Sequence, residues 1–341
     1  MSKSSNKKRS SKSSNKKRSS KSSNKKRSSK SKSSNKSKKI TKKKGANLKK
    51  NTNTKSKNIK RESVKYVIAI PSYKRSLMLK EKTLTMLKNN NIGQQKIYIF
   101  VSSQNQANEY KNIIPKTMYH KIVIGELGLK NQRNFITKYF PNNTNIVQMD
   151  DDITDIKQLD FSNSKLSKKT KKPNKYYKSK SIEHLNQFIK HSFIQCRSKN
   201  IYLWGVFPVN NPYFMNTNTT TDLRFIVGPF FGIINRKYKD RKYLLSTINE
   251  KEDVERSIKY YIKDGAVMRF NYIAIETKYY RNPGGMQSEM KNRKEEALKS
   301  AIYLNSTYPN YTTLYLKKKS GYPEVKLKDK IKNKIKDKIK D

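Results

Sequence analysis

Residues Ile146 to Ile153 read IVQMDDDI, an apolar run followed at once by three carboxylates. Adjacent carboxylates repel one another, so their crowding needs a compensating charge. A divalent Mg2+ or Mn2+ supplies it: held by one or two carboxylates, it keeps its other positions for water and for the oxygens of a diphosphate. On an extended strand, side chains two apart share one side, so Asp150 and Asp152 would converge and Asp151 would point away. The competing reading is a solvated turn or a helix cap, where Asp is common. A second acidic group, Glu250, Glu252 and Asp253, precedes Val254, Ile258 and Tyr261 in INEKEDVERSIKYYIKDG. Acids in a first helical turn suit the helix dipole on their own.

The elements that must position these residues are legible around them. VKYVIAIPSYKR carries a near-continuous β-prone run, Val67 to Ile70, ended by Pro71, as in a strand buried on both faces. SLMLKEKTLTMLKNNNIG follows with Leu77, Leu84 and Leu87 at helical spacing and an Asn/Gly stop. KIYIFVSS reads as a strand, QANEYKNII as a short helix, HKIVIGE as a strand, LKNQRNFITKYF as a helix, and TNIVQMD as a strand ending at the aspartates. This alternation predicts an α/β fold with a doubly wound, mostly parallel sheet and helices on both faces. Ligands bind beyond the C-terminal ends of such strands, so PSYKR and DDD are expected to share one crevice.

The chain has 341 residues and a formal net charge of +54. By count, about 26 of the basic residues precede position 62, about eight lie between Lys165 and Lys180, and about eleven lie from Lys317 to Lys340, so the appendages hold most of the charge. A nine-residue repeat, SKSSNKKRS, runs three times from Ser2 to Ser28 without an apolar residue. Such a segment cannot bury surface to offset its ordering entropy, and residues 1–61 are expected to be disordered. They would bind nucleic-acid phosphates by counterion release, carry an import signal, or only solubilise. The domain is expected over 62–316, with a basic insertion or loop at 164–180 that would act as a lid, track an anionic acceptor, or play no part. A basic C-terminal tail, 317–341, is expected not to pack independently. The single cysteine, Cys196, excludes an internal disulfide and a cysteine-built zinc site. No apolar stretch is long enough for a membrane span and no secretory leader is visible, so neither a membrane nor secretion is expected.

The runs IAIPSYKR, GELGLKNQRNFI and IVQMDDDI, in that order, resemble the nucleotide-binding half of a GT-A glycosyltransferase. With LWGVFPVNNPYFM and YYRNPGGMQ downstream, the likeness narrows to the TET-associated glycosyltransferases, the group of base J glucosyltransferase with many phage and giant-virus members. It covers roughly residues 64–290 and departs at Gln132, where many relatives carry Ala. The resemblance implies a nucleotide-sugar donor, UDP-glucose, and Mn2+ or Mg2+. Pro71, Ser72, Tyr73 and Arg75 would border base and ribose, while Gly128, Arg133 and Asn134 would contact the nucleotide or order the loop beside it. Asp150 and Asp152 would hold ribose and metal. Asp253, with Glu252 as alternate, would be the base that deprotonates the acceptor hydroxyl. Arg281, Gly284 and Gly285 would approach a phosphate from a Gly-Gly turn. The narrower likeness implies a hydroxymethylated pyrimidine in DNA as acceptor, flipped from the duplex, with the basic tails adding DNA affinity. It also implies residence in the cytoplasm or nucleus of an infected cell, or in a virion.

Two rivals stand beside this reading: a transferase acting on protein or glycan, and a catalytically inactive DNA-binding scaffold on the same fold. A glycoside hydrolase is disfavoured, because adjacent aspartates cannot flank a sugar from opposite sides. In the second half, SIEHLNQFIKHSFIQCRSK predicts a helix with Ile182, Leu185, Phe188, Ile189, Phe193 and Ile194 inward and with His184 and His191 structural. IYLWGVFPVNNPYFM and RFIVGPFFGIINR predict strands whose aromatic residues mostly pack the core.

Overall fold

The computed structural model describes residues 64–160, 178–277, 285, 292–316 and 323–328. All belong to the compact unit Arg61–Asp341. The repeat segment expected to be disordered, most of the basic insertion, Arg281 and Gly284 lie outside the described residues.

The first half alternates strand and helix as its apolar pattern requires. β1 (Val67–Pro71) leads to α1 (Ser76–Leu79) and α2 (Thr85–Asn89), which are joined by one wide π turn over Lys80–Leu84. Then come β2 (Ile97–Val101), α3 (Gln104–Ile113), β3 (Lys121–Ile124), α4 (Leu129–Tyr139) and β4 (Asn145–Met149). The second half holds β5 (Asp155–Asp160), β6 (Lys178–Ser181), α5 (Leu185–Ser198), β7 (Leu203–Phe207), β8 (Thr219–Thr220) and β9 (Phe230–Ile234). It continues through α6 (Tyr238–Arg241), α7 (Glu252–Asp264), β10 (Met268–Glu276), α8 (Arg293–Thr307), β11 (Thr312–Tyr315) and β12 (Glu324–Leu327).

Among the described residues one large sheet runs in the order β3-β2-β1-β4-β9-β7-β10-β5-β6, with β8 paired to β10. Its first four strands are parallel. β9 is antiparallel to both β4 and β7, and β10 is parallel to β7. The C-terminal ends of β1, β4, β7 and β10 therefore lie along one edge. The expected α/β class with helices on both faces holds, with a mixed second half.

Alternation along each strand divides the interior into two layers. Ile68, Ile70, Ile99, Val147, Met149, Trp204 and Phe230 face α1 to α3 and α5. Ala69, Phe100, Ile146, Leu203, Phe231 and Ile233 face α4 and α7. Trp204 meets Phe188, Phe193, Phe230 and Phe270 at steep interplanar angles, contacts worth about 0.5–1.5 kcal/mol each beyond area burial.

Several expectations give way here. Leu77 is exposed and Leu79 is buried instead, because the π turn adds a residue and rotates what precedes it by about 100° relative to Leu84 and Leu87. Ile194 is also exposed, and Ile182 precedes the helix. The two aromatic-rich runs are strands only over Leu203–Phe207 and Phe230–Ile234. The basic C-terminal segment supplies β12, which pairs with β11 and buries Val325 against α7 and α8. After Ile153 and Thr154 the chain leaves the aspartates in a new strand. β5 starts beside them, Asp155 opposite Glu276, and carries the chain away along β10. β5 ends at Asp160, and the described residues resume at Lys178.

Candidate functional site

The site forms where β1 and β4 end. Ser72 continues β1, donating its N–H to Phe100 O at 2.9 Å. Lys74 then takes φ 53, a left-handed conformation uncommon outside glycine, and this bends the chain so that Arg75 N–H meets Tyr110 Oη at 3.0 Å. The bend returns Arg75 toward the aspartates. Ser72 Oγ, 2.7 Å from Tyr110 Oη, donates to Asp151 Oδ2 at 2.7 Å, and Arg75 Nη1 donates to Asp151 Oδ1 at 3.0 Å.

β4 pairing stops at Met149 opposite Phe230, and the aspartates occupy the turn that follows. The strand alternation assumed from sequence therefore does not govern them. Thr83, inside the π turn, fixes that turn: its hydroxyl donates to Asp150 O and accepts from Ile153 N–H, both at 2.9 Å. The consequence is a division of labour. Asp151 is buried at 4% exposure, while Asp150 and Asp152 keep 27% and 13% of their side chains accessible. Burial pushes the Asp151 carboxyl up to about 6, against the opposing pull of Arg75 and Ser72. Asp152 accepts from Thr277 Oγ1 at 2.9 Å and lies 3.8 Å from Arg75 Nη1.

Arg133 connects this cluster to α7. It projects from α4 and is 3% exposed. Its Nη2 donates to Asp150 Oδ1 at 2.7 Å and to Gly228 O at 3.0 Å, its Nη1 to Gln148 Oε1 at 3.3 Å, and its Nε faces Glu252 Oε1 at 3.4 Å. Glu252 is buried, and desolvation with Asp253 beside it pushes its carboxyl up to about 7 despite Arg133 and Arg256. Asp253 is half-buried; its Oδ2 accepts Gly228 N–H at 3.1 Å and its Oδ1 accepts Val254 N–H at 2.9 Å. Lys251, at φ 61, starts this helix from a second left-handed position.

Two bonded groups thus meet at the aspartates: Ser72, Asp151, Arg75 and Asp152 in one, and Asp150, Arg133, Glu252 and, through Gly228, Asp253 in the other, with Arg75 and Asp152 acting on Asp150 electrostatically. Pro71 pairs with Phe100 at the end of β1, behind it. Tyr73 O accepts the N–H of Gly285 at 3.1 Å. Gly285, at φ +99, packs so tightly that an added Cβ would stand 2.7 Å from Arg75 Cζ, so only glycine fits. Gly128 starts α4 at φ 88, and Asn134 exchanges hydrogen bonds with both Ser246 backbone groups, holding the loop ahead of α7. Gln132, the departure from the family pattern, is buried with its Oε1 on Glu126 N–H. Asp151, Tyr110, Thr83 and Thr277 were not singled out from sequence. The middle of the triplet was the one available signal.

The donor set bears on a metal. Among the described residues no group of three or more His, Cys, Asp and Glu side chains gathers as a metal cage. A Mg2+-type ion shared with a diphosphate needs only one or two carboxylates. The accessible Asp150 and Asp152 fit that requirement, and the buried, committed Asp151 does not. No helix among the described residues is long and apolar enough to cross a membrane.

No protein-family model and no curated protein matches the chain. Similar solved structures include S. aureus TarS 1–349, at 14% identity and a TM-score of 0.38, covering 62% of this chain. The same protein in complex with UDP gives 13% and 0.37. The glycosyltransferase GlyE of Streptococcus pneumoniae TIGR4 gives 12% and 0.18 over 40% of each chain. The chain spans 60% of the TarS 1–349 chain and 40% of the longer TarS structure.

Proposed function

We propose that the chain is a metal-dependent glycosyltransferase of the GT-A type that moves a sugar, glucose from UDP-glucose in the first instance, onto a hydroxyl acceptor. One observation carries this reading: the ends of β1 and β4 bring together Asp150, paired with the buried Arg133 that also reaches Glu252, and Asp152, beside Arg75. Asp150 and Asp152 would hold the divalent ion, which when bound offsets charge developing on the departing diphosphate. Arg75 and Arg133 place permanent positive charge at the same strand ends. Asp253 is the stronger base candidate. Two backbone N–H groups orient its carboxylate, and it is only half-buried, whereas Glu252 is buried and its carboxyl is pushed up to about 7. The acceptor oxygen bonds to the anomeric carbon as the bond to the diphosphate oxygen breaks, and its proton passes to Asp253.

For the acceptor we propose a hydroxymethylated pyrimidine in DNA, a reading supported by the sequence resemblance and by the basic segments. Calorimetric titration of UDP and UDP-glucose, with and without Mn2+, tests the donor site. Metal-dependent binding that Asp152→Asn removes supports the proposal, and no binding of any common sugar nucleotide overturns it. A panel of hydroxymethylated DNA, protein and glycan acceptors then tests the acceptor. Transfer confined to protein or glycan would refute the DNA assignment.

A further inference from the structure

Behind the proposed donor site, between the sheet and the layer of α4 and α7, lies a cavity of about 20 Å³ lined by Arg133, Gln148, Phe231, Arg241, Arg256 and Tyr260 among others, with no carboxylate in its wall. Three guanidinium groups around so small a space are costly unless their charge and their N–H donors are met. They are met only in part. Arg133 is engaged on its outer side by Asp150 and Glu252, and Arg241 Nη1 donates to Thr137 O at 2.8 Å. Arg241 Nε, Arg256 Nε and Arg256 Nη2 are buried without any hydrogen-bond partner. Arg256 is 5% exposed and lies over the Phe231 ring with Cζ 3.8 Å from its centroid.

We propose that this cavity is a binding site for a monatomic anion of chloride size, held by Arg256 and Arg241 and walled by Arg133. The space suits one particle of about the size of a water molecule. A water has two lone pairs and two protons to place, whereas three unpartnered donors and surplus positive charge call for an acceptor without protons of its own. Glu252 and Asp253 attract Arg256 electrostatically, but neither lines the cavity. Tyr260, whose hydroxyl burial pushes up to about 12, stays a neutral O–H at working pH and adds a donor to the wall. Because Arg133 is common to both, the anion sets the rear wall of the proposed donor site.

The test uses the full chain and needs no substrate. Melting temperature is measured in sodium chloride, sodium bromide and sodium gluconate at fixed ionic strength, and crystals grown in bromide are examined for anomalous scattering. A saturable rise in melting temperature with either halide and not with gluconate, together with a bromide peak in the cavity, is expected. Arg256→Met should abolish the halide-specific rise. If that variant does not fold, Arg241→Met, at a half-buried position, should weaken the rise several-fold. Identical melting in halide and gluconate, or bromide only at the surface, overturns the proposal.

Discussion

Arg133 Nη2 stands 2.7 Å from Asp150 Oδ1 while its Nε faces Glu252 at 3.4 Å, so one buried side chain is charge partner to the ends of β4 and of α7. Removing it leaves two carboxylates short of their main cation. Arg133→Met is therefore expected to cost about 3–5 kcal/mol in denaturant unfolding and to weaken UDP binding. Arg133→Lys should recover little, since a point charge cannot reach Asp150, Gln148 and Gly228 at once. Full recovery by lysine would show that the fork geometry is dispensable.

Asp151 and Asp152 are neighbours with separable tasks. Asp151→Asn loses the charge pair with Arg75 in a buried setting and is expected to lower stability by about 1–3 kcal/mol. Asp152→Asn should leave stability within about 1 kcal/mol and remove metal-dependent UDP binding. Paired unfolding curves and titrations on both variants check this. Equal effects of the two on both readouts would contradict the assignment.

Asp253→Asn keeps a side-chain oxygen that can accept from Gly228 N–H, so folding and donor binding should persist. Transfer should fall by about 10²-fold or more, the usual scale for losing a positioned base. Full transfer activity in this variant would assign the proton to another group.

Stability should depend on pH with an unusual sign. Glu252 holds its proton up to about 7 and Asp151 up to about 6 in the folded chain, against ordinary values of 4.5 and 3.8. Between those limits the folded state binds more protons than the unfolded one, so stability falls as pH rises from about 4 to about 7. Glu252 alone accounts for roughly 3 kcal/mol at most. Glu252→Gln should flatten the upper part of a melting-temperature profile over this range. A profile that rises with pH and ignores the substitution would rule this out.

The strands β1 to β4 were legible because buried parallel strands are near-continuous apolar runs, and the first helical stretch between them because it stops at Asn and Gly. The aspartates stood out in the sequence by their crowding, and their geometry did not. A turn, stapled by Thr83, replaces the extended conformation that would have paired Asp150 with Asp152 by alternation alone. The π turn left no apolar signal, so Leu77 and Leu79 exchanged faces. β12 was hidden by lysines whose solvent face obscured the single buried Val325. Arg256, within an acidic-headed amphipathic helix, gave no sign in the sequence that its position is interior.

The sheet order also dictates when the proposed donor site can exist. β3, β2, β1 and β4 are neighbours in sequence as well as in space, but β9 must return across 80 residues to pair with β4. Arg133 then receives Gly228 O from 95 positions away. Contacts of such separation close after local ones, which makes the proposed donor site a late product of folding. In a refolding time course, the emission of Trp204 as its aromatic cage forms should precede recovery of UDP binding. Simultaneous recovery of both would show that the two halves of the sheet assemble as one step. A chain interrupted before β9, on this account, carries every aspartate of the triplet and binds no nucleotide.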